Sequence, residues 1–296
     1  MDALKPVNTL METKAAGSLG NLLFGIGTYF GLSLMLYDNK KESIPKYEYP
    51  GMCGESMSVR TSDNVNLTGH LFWPESTKDR KSLPLVIHFH GRGGSIGKKL
   101  EYISNFVNIC NCNILIFGYR GYTKSQGHPS GQGLKKDAEA ILSKVFSTLG
   151  DKANLDKVIV HGKSLGGGPA SYIVSQEQWR NKIRAVILDI TFNSIDSLIT
   201  QHISCLSSVA NHIFANETWN VVEAAKAFRE DMPVLIIGVV DDQTCPYQHS
   251  VKLHETLKSL ERQVKLLTFD DGGHRGYWIK HRSEFFNSLK LFIDAL

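Results

Sequence analysis

A chain of 296 residues is long for a small domain, although α/β folds of about 250 residues commonly form a single domain. It is 42% hydrophobic and 21% charged, which supplies enough apolar mass for a substantial core. The net charge is only +4 and the lysines are scattered, so no basic face indicates a nucleic-acid partner. The five cysteines have irregular spacings and no C-x-x-C pair, which argues against a disulfide framework or zinc site and favours free thiols in a reducing compartment.

The N-terminal part contains an apolar stretch, residues 15–37, that has no charged residue. As a helix it is long enough to cross a hydrocarbon core of about 30 Å. We expect segment 1–45 to carry a single membrane anchor and residues 46–296 to form the catalytic domain. A cleaved signal peptide is disfavoured because no small-residue cleavage site follows the stretch. A helix that lies on a membrane or packs on the domain stays an alternative, and lysines on both sides leave the orientation open.

The remaining chain alternates strand-like and helix-like segments. Residues 56–61 and 65–73 alternate in polarity like a hairpin, and six continuous apolar runs then alternate with segments of helical length. The runs are 85–89, 113–117, 158–161, 185–190, 234–240 and 265–269, and helices are expected near 98–109, 132–148, 165–177, 247–261 and 281–295. This pattern predicts an α/β fold with a mostly parallel eight-stranded sheet, helices on both faces and a short cap at about 191–230.

The apolar run 158–161 leads directly into G-K-S-L-G at residues 162–166, and two more glycines follow. A buried strand, a tight turn with small residues and a helix are what a nucleophile elbow requires. The turn lifts the hydroxyl of Ser164 clear of the sheet and brings a helix N-terminus beneath it. Ser164 is therefore the predicted nucleophile; the alternative is an ordinary glycine-rich turn between strand and helix.

A serine hydroxyl needs a general base, and in this fold the base follows the acid along the chain. His274 lies in the glycine-rich segment after the last strand, which we expect to be a loop at the same sheet edge as the elbow. The acid belongs on the loop after run 234–240, where Asp241 and Asp242 stand side by side. The residues alone leave both aspartates open.

Two backbone N–H groups are needed to bind the developing oxyanion. One belongs to Leu165, the residue after the nucleophile. The other is expected from the glycine-rich loop at residues 90–94, where Arg92 is the predicted donor and Gly93 the alternative. This chemistry implies neither a metal nor an organic cofactor.

Five segments occur in a characteristic order: F-H-G-R-G-G-S-I-G (89–97), Y-R-G-Y-T-K-S-Q-G-H-P-S (119–130), G-K-S-L-G-G-G-P-A (162–170), D-D-Q-T-C-P-Y-Q-H-S (241–250) and G-G-H-R-G (272–276). Over roughly residues 55–290 the chain resembles the α/β-hydrolase-domain serine hydrolases. The most similar subgroup is membrane-anchored and includes protein depalmitoylases and lysophospholipid hydrolases. The resemblance implies an enzyme that cleaves carboxylic ester or thioester bonds of lipid or acylated substrates.

In that family the acid stands four residues before a loop proline, which here is Pro246 and selects Asp242. The family spacing measured forward from the glycine at the strand end, Gly238, selects Asp241 instead. We take Asp242, so the expected triad is Ser164, Asp242 and His274. Arg92 departs from the family, which commonly has Asn or Gly there; it favours an anionic substrate head group or is a surface arginine. A serine peptidase of the same fold and an inactive, membrane-tethered binding protein are the alternative functions.

Overall fold

The protein is described by a computed structural model that covers residues 37, 51–202 and 219–296. The strands are β1 (Met52–Arg60), β2 (Asn66–Pro74), β3 (Pro84–Phe89), β4 (Asn113–Phe117), β5 (Asn154–Lys163), β6 (Ala185–Asp189), β7 (Val234–Val239) and β8 (Val264–Phe269). The helices are α1 (Leu100–Cys110), α2 (Gly131–Thr148), α3 (Gly167–Ser175), α4 (Glu177–Arg180), α5 (Ile195–His202), α6 (Val221–Lys226), α7 (Gln248–Ser259), α8 (Gly273–Lys280) and α9 (Arg282–Asp294).

The eight strands form one sheet in the order β1-β2-β4-β3-β5-β6-β7-β8. β1 pairs antiparallel with β2, and β2 pairs antiparallel with β4. All later pairings are parallel. The predicted fold class, a mostly parallel eight-stranded sheet, is therefore confirmed. β5 lies near the middle, so the segment that follows it emerges at the centre of the carboxyl edge, where open α/β sheets bind ligands.

Both faces of the sheet are covered around β3 to β7, which explains why these strands carry continuous apolar runs, whereas burial alternates along β1 and β2. On β3 the side chain of Ile87 packs into one core cluster and that of Val86 into the other. Helices α2, α3, α6 and α7 contribute to the first cluster, and α1 and α9 to the second. The helices thus lie on opposite faces, as the alternating pattern predicts.

The segment around His274 differs from the sequence expectation. We expected a loop, but α8 (Gly273–Lys280) begins one residue before this histidine. Three glycines at 272, 273 and 276 disfavour a helix, yet two tertiary contacts support one. The carboxylate of Asp241 accepts the N–H groups of Gly272 and Gly273 at the helix start, at 3.2 and 2.8 Å, and Tyr277 is completely buried. These contacts outweigh the weak intrinsic propensity.

Two of the sequence expectations fall largely outside the described residues. Residues 15–36 of the predicted anchor and 203–218 of the predicted cap belong to this part. The flanks of the cap, α5 and α6, are connected by a β-bridge between Ser194 and Asn220. Tyr37 is buried in the first core cluster. Within the ranges that the structure describes, no helix is both long and apolar enough to cross a membrane.

Candidate active site

The turn after β5 has the strained geometry of a nucleophile elbow. Ser164 adopts φ = +52°, a left-handed conformation that costs a non-glycine residue about 1–2 kcal/mol. A Cβ atom on Gly166 would lie 1.9 Å from the carbonyl oxygen of Phe89, and one on Gly162 would lie 2.5 Å from the Cβ of Ala170. Both glycines are thus required by close approach. The hydroxyl of Thr191 donates to the carbonyl oxygen of Ser164 at 2.8 Å and braces the turn from β6.

The structure brings Ser164, His274 and Asp242 together, although 110 residues separate the first two. Nε2 of His274 lies 2.8 Å from Oγ of Ser164. Nδ1 of the same ring lies 2.7 Å from Oδ2 of Asp242. The carboxylate is buried, whereas the imidazole retains partial exposure toward the cavity. This arrangement lets the imidazole take a proton from the hydroxyl while the carboxylate holds the opposite ring nitrogen.

The two neighbouring aspartates have different contacts. Oδ1 of Asp242 accepts the N–H groups of Thr244 and Cys245 at 2.7 and 2.9 Å, which aims Oδ2 at the imidazole. Asp241 instead bonds to the backbone at the start of α8, as described above. One aspartate therefore contacts the ring of His274, and the other holds the helix that carries it. The role of Asp241 was missed at the sequence level.

The loop after β3 runs directly past the serine. A Cβ on Gly91 would lie 3.4 Å from the Cβ of Ser164. The loop is fixed from behind, because Tyr119 donates its hydroxyl to the carbonyl oxygen of His90 at 2.8 Å, and Nδ1 of His90 bonds to the carbonyl of Gly91 at 2.7 Å. The backbone amides of Arg92 and Leu165 stay the predicted oxyanion donors.

A buried polar cluster lies beside the triad and was not expected. Its centre is the fully buried carboxylate of Asp189, at the end of β6. The hydroxyl of Tyr277 donates to it at 2.7 Å and in turn accepts a hydrogen bond from Nζ of Lys163 at 2.7 Å. His161 and Tyr102 approach the same carboxylate at 3.4 Å each. We call these five residues the Asp189 cluster.

The charge state of the Asp189 cluster follows from burial and pairing. Burial raises the pKa of Asp189, but the Lys163 ammonium and the hydrogen bonds from His161 and Tyr277 more than offset this, so the pKa lies below its ordinary value. Burial lowers the pKa of His161, only partly offset by Asp189. A carboxylate–ammonium pair beside a neutral imidazole results.

Cys245 is also part of the site. Its side chain is buried against the hydroxyl of Ser164. Burial raises the pKa of the Cys245 thiol and nearby Asp242 raises it further, while the hydrogen bond to Ser164 acts in the opposite direction. The thiol is therefore neutral and unsuited to act as a nucleophile. The other described cysteines, at 53, 110 and 112, are also free thiols, and Cys205 lies outside the described residues.

A cavity of about 640 Å³ opens over Ser164 and His274. This volume lies within the range of roughly 300–1,000 Å³ that is typical of small-molecule sites. Its walls are the loop after β3, the start of α1 and one face of α8. The nucleophile candidate and its base thus face a space large enough for a substrate.

Comparison with known proteins shows to which family the chain belongs. The model of the prolyl oligopeptidase family matches residues 130–296, more than half of the chain. "Uncharacterized membrane protein YNL320W" of Saccharomyces cerevisiae is 30% identical over 234 residues, covering 77% of this chain and 78% of the relative. "Lysophosphatidylserine lipase ABHD12" of Danio rerio is 26% identical over 234 residues, covering 73% of this chain and 59% of the relative.

Among solved structures, the esterase Pf2001 of Pyrococcus furiosus superposes with a TM-score of 0.68 at 19% identity. The match covers 88% of this chain and 98% of the esterase. At this identity the likeness shows a shared fold, in agreement with the sheet order described above. The chain belongs to the prolyl oligopeptidase family, within the α/β-hydrolase superfamily.

Proposed function

We propose that the protein is a serine hydrolase that cleaves carboxylic ester or thioester bonds through an acyl-enzyme. Ser164 is the nucleophile, His274 the general base and Asp242 the acid that orients the base. The observation that carries the proposal is the pair of contacts made by one imidazole, 2.8 Å to Oγ of Ser164 and 2.7 Å to Oδ2 of Asp242. Both lie within the reach that proton transfer needs.

In the proposed cycle, Oγ of Ser164 attacks the substrate carbonyl carbon as Nε2 of His274 accepts the hydroxyl proton. The carbonyl oxygen becomes an oxyanion bound by the amides of Leu165 and Arg92. The tetrahedral intermediate collapses, and His274 gives its proton to the departing alkoxide or thiolate. A water molecule, deprotonated by the same imidazole, then attacks the acyl-enzyme, and the acid product leaves with Ser164 regenerated.

The substrate part of the proposal is a lipid or another acylated molecule. A relative named as a lipase supports it, as does the resemblance to depalmitoylases and lysophospholipid hydrolases. The cavity offers room for a small-molecule ester beside the nucleophile.

The experiment that tests the proposal compares wild type with Ser164→Ala. Wild type should be labelled by a fluorophosphonate probe and should hydrolyse p-nitrophenyl esters. The variant should lose the label and at least roughly 10³-fold of kcat. Ser171→Ala, a buried serine on α3, is the matched control and should keep both. Labelling that persists in a folded S164A protein contradicts the assignment; an unlabelled wild type points to the inactive binding protein.

Peptide hydrolysis is the second candidate, because the matched family is the prolyl oligopeptidase family. The same triad attacks amides, whose leaving groups are poorer. Turnover of a p-nitrophenyl ester and of aminoacyl p-nitroanilides by one preparation separates the two. An anilide kcat/KM equal to or above that of the ester favours the peptidase.

We also propose a single N-terminal membrane anchor within residues 15–37, with the catalytic domain in a reducing compartment. A relative named as a membrane protein supports this. Full-length protein should stay in the membrane pellet after carbonate washing, whereas a chain that begins at residue 37, and so keeps the buried Tyr37, should be released. Release of both forms contradicts the anchor.

A further inference from the structure

A second histidine, His88, lines the cavity over Ser164 and takes no part in the proposed cycle. It lies on β3, and only 4% of its surface is exposed. Its Nδ1 lies 3.1 Å from Nδ1 of His161, its parallel neighbour on β5. Its Nε2 has no hydrogen-bond partner among the described residues and is not fully enclosed by protein. The unpaired nitrogen is therefore the polar atom that His88 presents to the cavity.

The imidazoles of His88 and His161 are both neutral. Burial lowers the pKa of His88 well below its ordinary value, and the positive charge of nearby Lys163 lowers it further. Burial also lowers the pKa of His161, as described above. A neutral imidazole carries one proton, so one of its nitrogens donates and the other accepts. Of the two Nδ1 atoms that face each other, one must therefore donate to the other.

The carboxylate of Asp189 decides which of them donates. Nε2 of His161 faces Oδ2 of Asp189 at 3.4 Å, which is too long for a strong hydrogen bond, and it has no other partner in the part of the chain that the structure describes. A lone pair on this nitrogen would point at a buried negative charge, so the proton of His161 lies on Nε2. Nδ1 of His161 then accepts the proton of Nδ1 of His88, which leaves Nε2 of His88 as an acceptor.

The surroundings of this acceptor restrict the group that it can bind. An acceptor is matched by an O–H or N–H donor. The ammonium of Lys163 also lines the cavity and disfavours a second cation, such as a substrate ammonium group. Because only 4% of the His88 surface is open, the donor must also be small. A hydroxyl group is a small and neutral donor and meets these conditions.

The strand register gives the place of the acceptor relative to the nucleophile. His88 is paired with His161, which lies three residues before Ser164 in the chain. At about 3.3 Å per strand residue, the Cα of His88 lies roughly 10 Å from that of Ser164 along the sheet, on the side away from its carboxyl edge. A substrate that occupies both places therefore carries its hydroxyl several bonds from the scissile carbonyl.

We infer that Nε2 of His88 is a specificity-determining acceptor that binds a hydroxyl group of the ester substrate, at the end of the cavity remote from the reacting carbonyl. The inference rests on the proposed function and adds a polar feature to its substrate. No bond is formed or broken at His88. A substrate without the donor leaves the acceptor unpaired in the cavity, and this loss is what discriminates against it.

The test compares uncharged esters with and without this donor. On the acyl side the pair is ethyl 6-hydroxyhexanoate and ethyl 6-methoxyhexanoate, and on the alcohol side it is 6-hydroxyhexyl acetate and 6-methoxyhexyl acetate. A methoxy group keeps the oxygen but cannot donate. The quantity measured, from acid release in a pH-stat, is kcat/KM of the hydroxyl ester divided by that of its methoxy partner. For one of the pairs, wild type should give a ratio of about tenfold, which corresponds to about 1.4 kcal/mol.

Two substitutions address the two ring nitrogens separately. In His88→Asn the amide can keep a contact with His161 at the position of Nδ1 but has no atom at the position of Nε2, so the ratio should fall to near one. In His88→Gln the amide reaches the position of Nε2, so part of the preference should remain. His254→Asn changes a histidine of α7 outside the described lining of the cavity and should leave the ratio unchanged. Melting temperatures verify that the variants fold.

A second measurement does not depend on catalysis. In the full chain with isotope-labelled histidine, proton–nitrogen correlation spectra show which ring nitrogen of each histidine carries the proton. At neutral pH His88 should carry its proton on Nδ1 and have an unprotonated Nε2. Its signals are identified by their loss in H88N or H88Q.

Three results overturn the inference. A wild-type ratio near one for both pairs means that Nε2 of His88 binds solvent only. An unchanged ratio in a folded H88N protein means that another group binds the hydroxyl. A proton on Nε2 makes this nitrogen a donor instead of an acceptor. The proposed function fails separately, when no ester is hydrolysed and Ser164 is not labelled by the fluorophosphonate probe.

Discussion

The adjacent aspartates after β7 offer a matched pair of substitutions. Asp241→Asn and Asp242→Asn each remove one negative charge, and the two positions are adjacent in the chain. The hydrogen bonds differ. Asp242 bonds to the ring of His274 at 2.7 Å, whereas Asp241 bonds only to backbone amides at the start of α8.

In D242N the amide oxygen keeps the bonds from the backbone at residues 244 and 245, which turns the NH₂ group toward Nδ1 of His274. Nδ1 must then accept a hydrogen bond, so the ring proton moves to Nε2. An imidazole with its proton on Nε2 cannot accept the proton of Ser164. The loss in kcat should be roughly 10⁴-fold, or about 5.4 kcal/mol.

In D241N the amide oxygen still accepts one of the two backbone bonds. The other hydrogen bond is lost at an exposed position. This loss should weaken the placement of His274 by about 1 kcal/mol and so lower kcat about fivefold. The assay is the initial rate of p-nitrophenyl ester hydrolysis under saturating conditions, with melting temperatures to verify folding. A loss in D241N that equals or exceeds the loss in D242N refutes the assignment and makes Asp241 the acid of the triad.

Three more predictions test the surroundings of the triad. Gly166→Ala places a methyl group against backbone that cannot move aside, so it should lower the free energy of unfolding by about 3 kcal/mol or more and Tm by roughly 6–12 °C. In the control variant Gly276→Ala the added Cβ meets nothing within 4 Å, so Tm should change little. Equal melting temperatures of the two variants would contradict the elbow geometry. Tyr277→Phe removes a hydroxyl donor to the carboxylate of the Asp189 cluster and should lower the free energy of unfolding by about 2 kcal/mol in a denaturant titration. An unchanged denaturation midpoint would mean that this hydrogen bond contributes nothing to stability. Cys245 is buried and its pKa is raised, so it should resist iodoacetamide at about pH 8 while half-buried Cys53 reacts. Peptide mass spectrometry measures the alkylation of each cysteine. Fast alkylation of Cys245 in the folded protein would contradict its burial.

The central part of the sheet could be predicted from the sequence because strands β3, β4, β6 and β7 are buried on both faces. Continuous apolar runs need no tertiary information to be recognised, and β4 has the predicted bounds, Asn113–Phe117. The position of Ser164 follows from a local motif, since strand, glycines and helix are contiguous in the chain. Chain order then restricted the candidate bases and acids to two loops.

The choice between Asp241 and Asp242 lay beyond such patterns. Adjacent residues in a turn point in different directions, and the direction depends on which backbone amides the carboxylate meets. Here the amides of Thr244 and Cys245 orient one carboxylate, and those of Gly272 and Gly273 hold the other. The second pair of contacts spans more than thirty residues, so no local spacing encodes it.

The Asp189 cluster was equally invisible, since Lys163 and Tyr277 are 114 residues apart, yet it bears on the proposed cycle. Lys163 directly precedes Ser164, and Tyr277 lies one turn after His274 on α8, so the bond between them ties the elbow to the helix of the base. The contact between Ser164 and His274 is lost once Oγ is acylated. The bond from Lys163 to Tyr277 does not involve the reacting atoms and persists through that stage. In the proposed cycle this bond would keep the imidazole in position to activate water, so we expect a slower deacylation step in Tyr277→Phe.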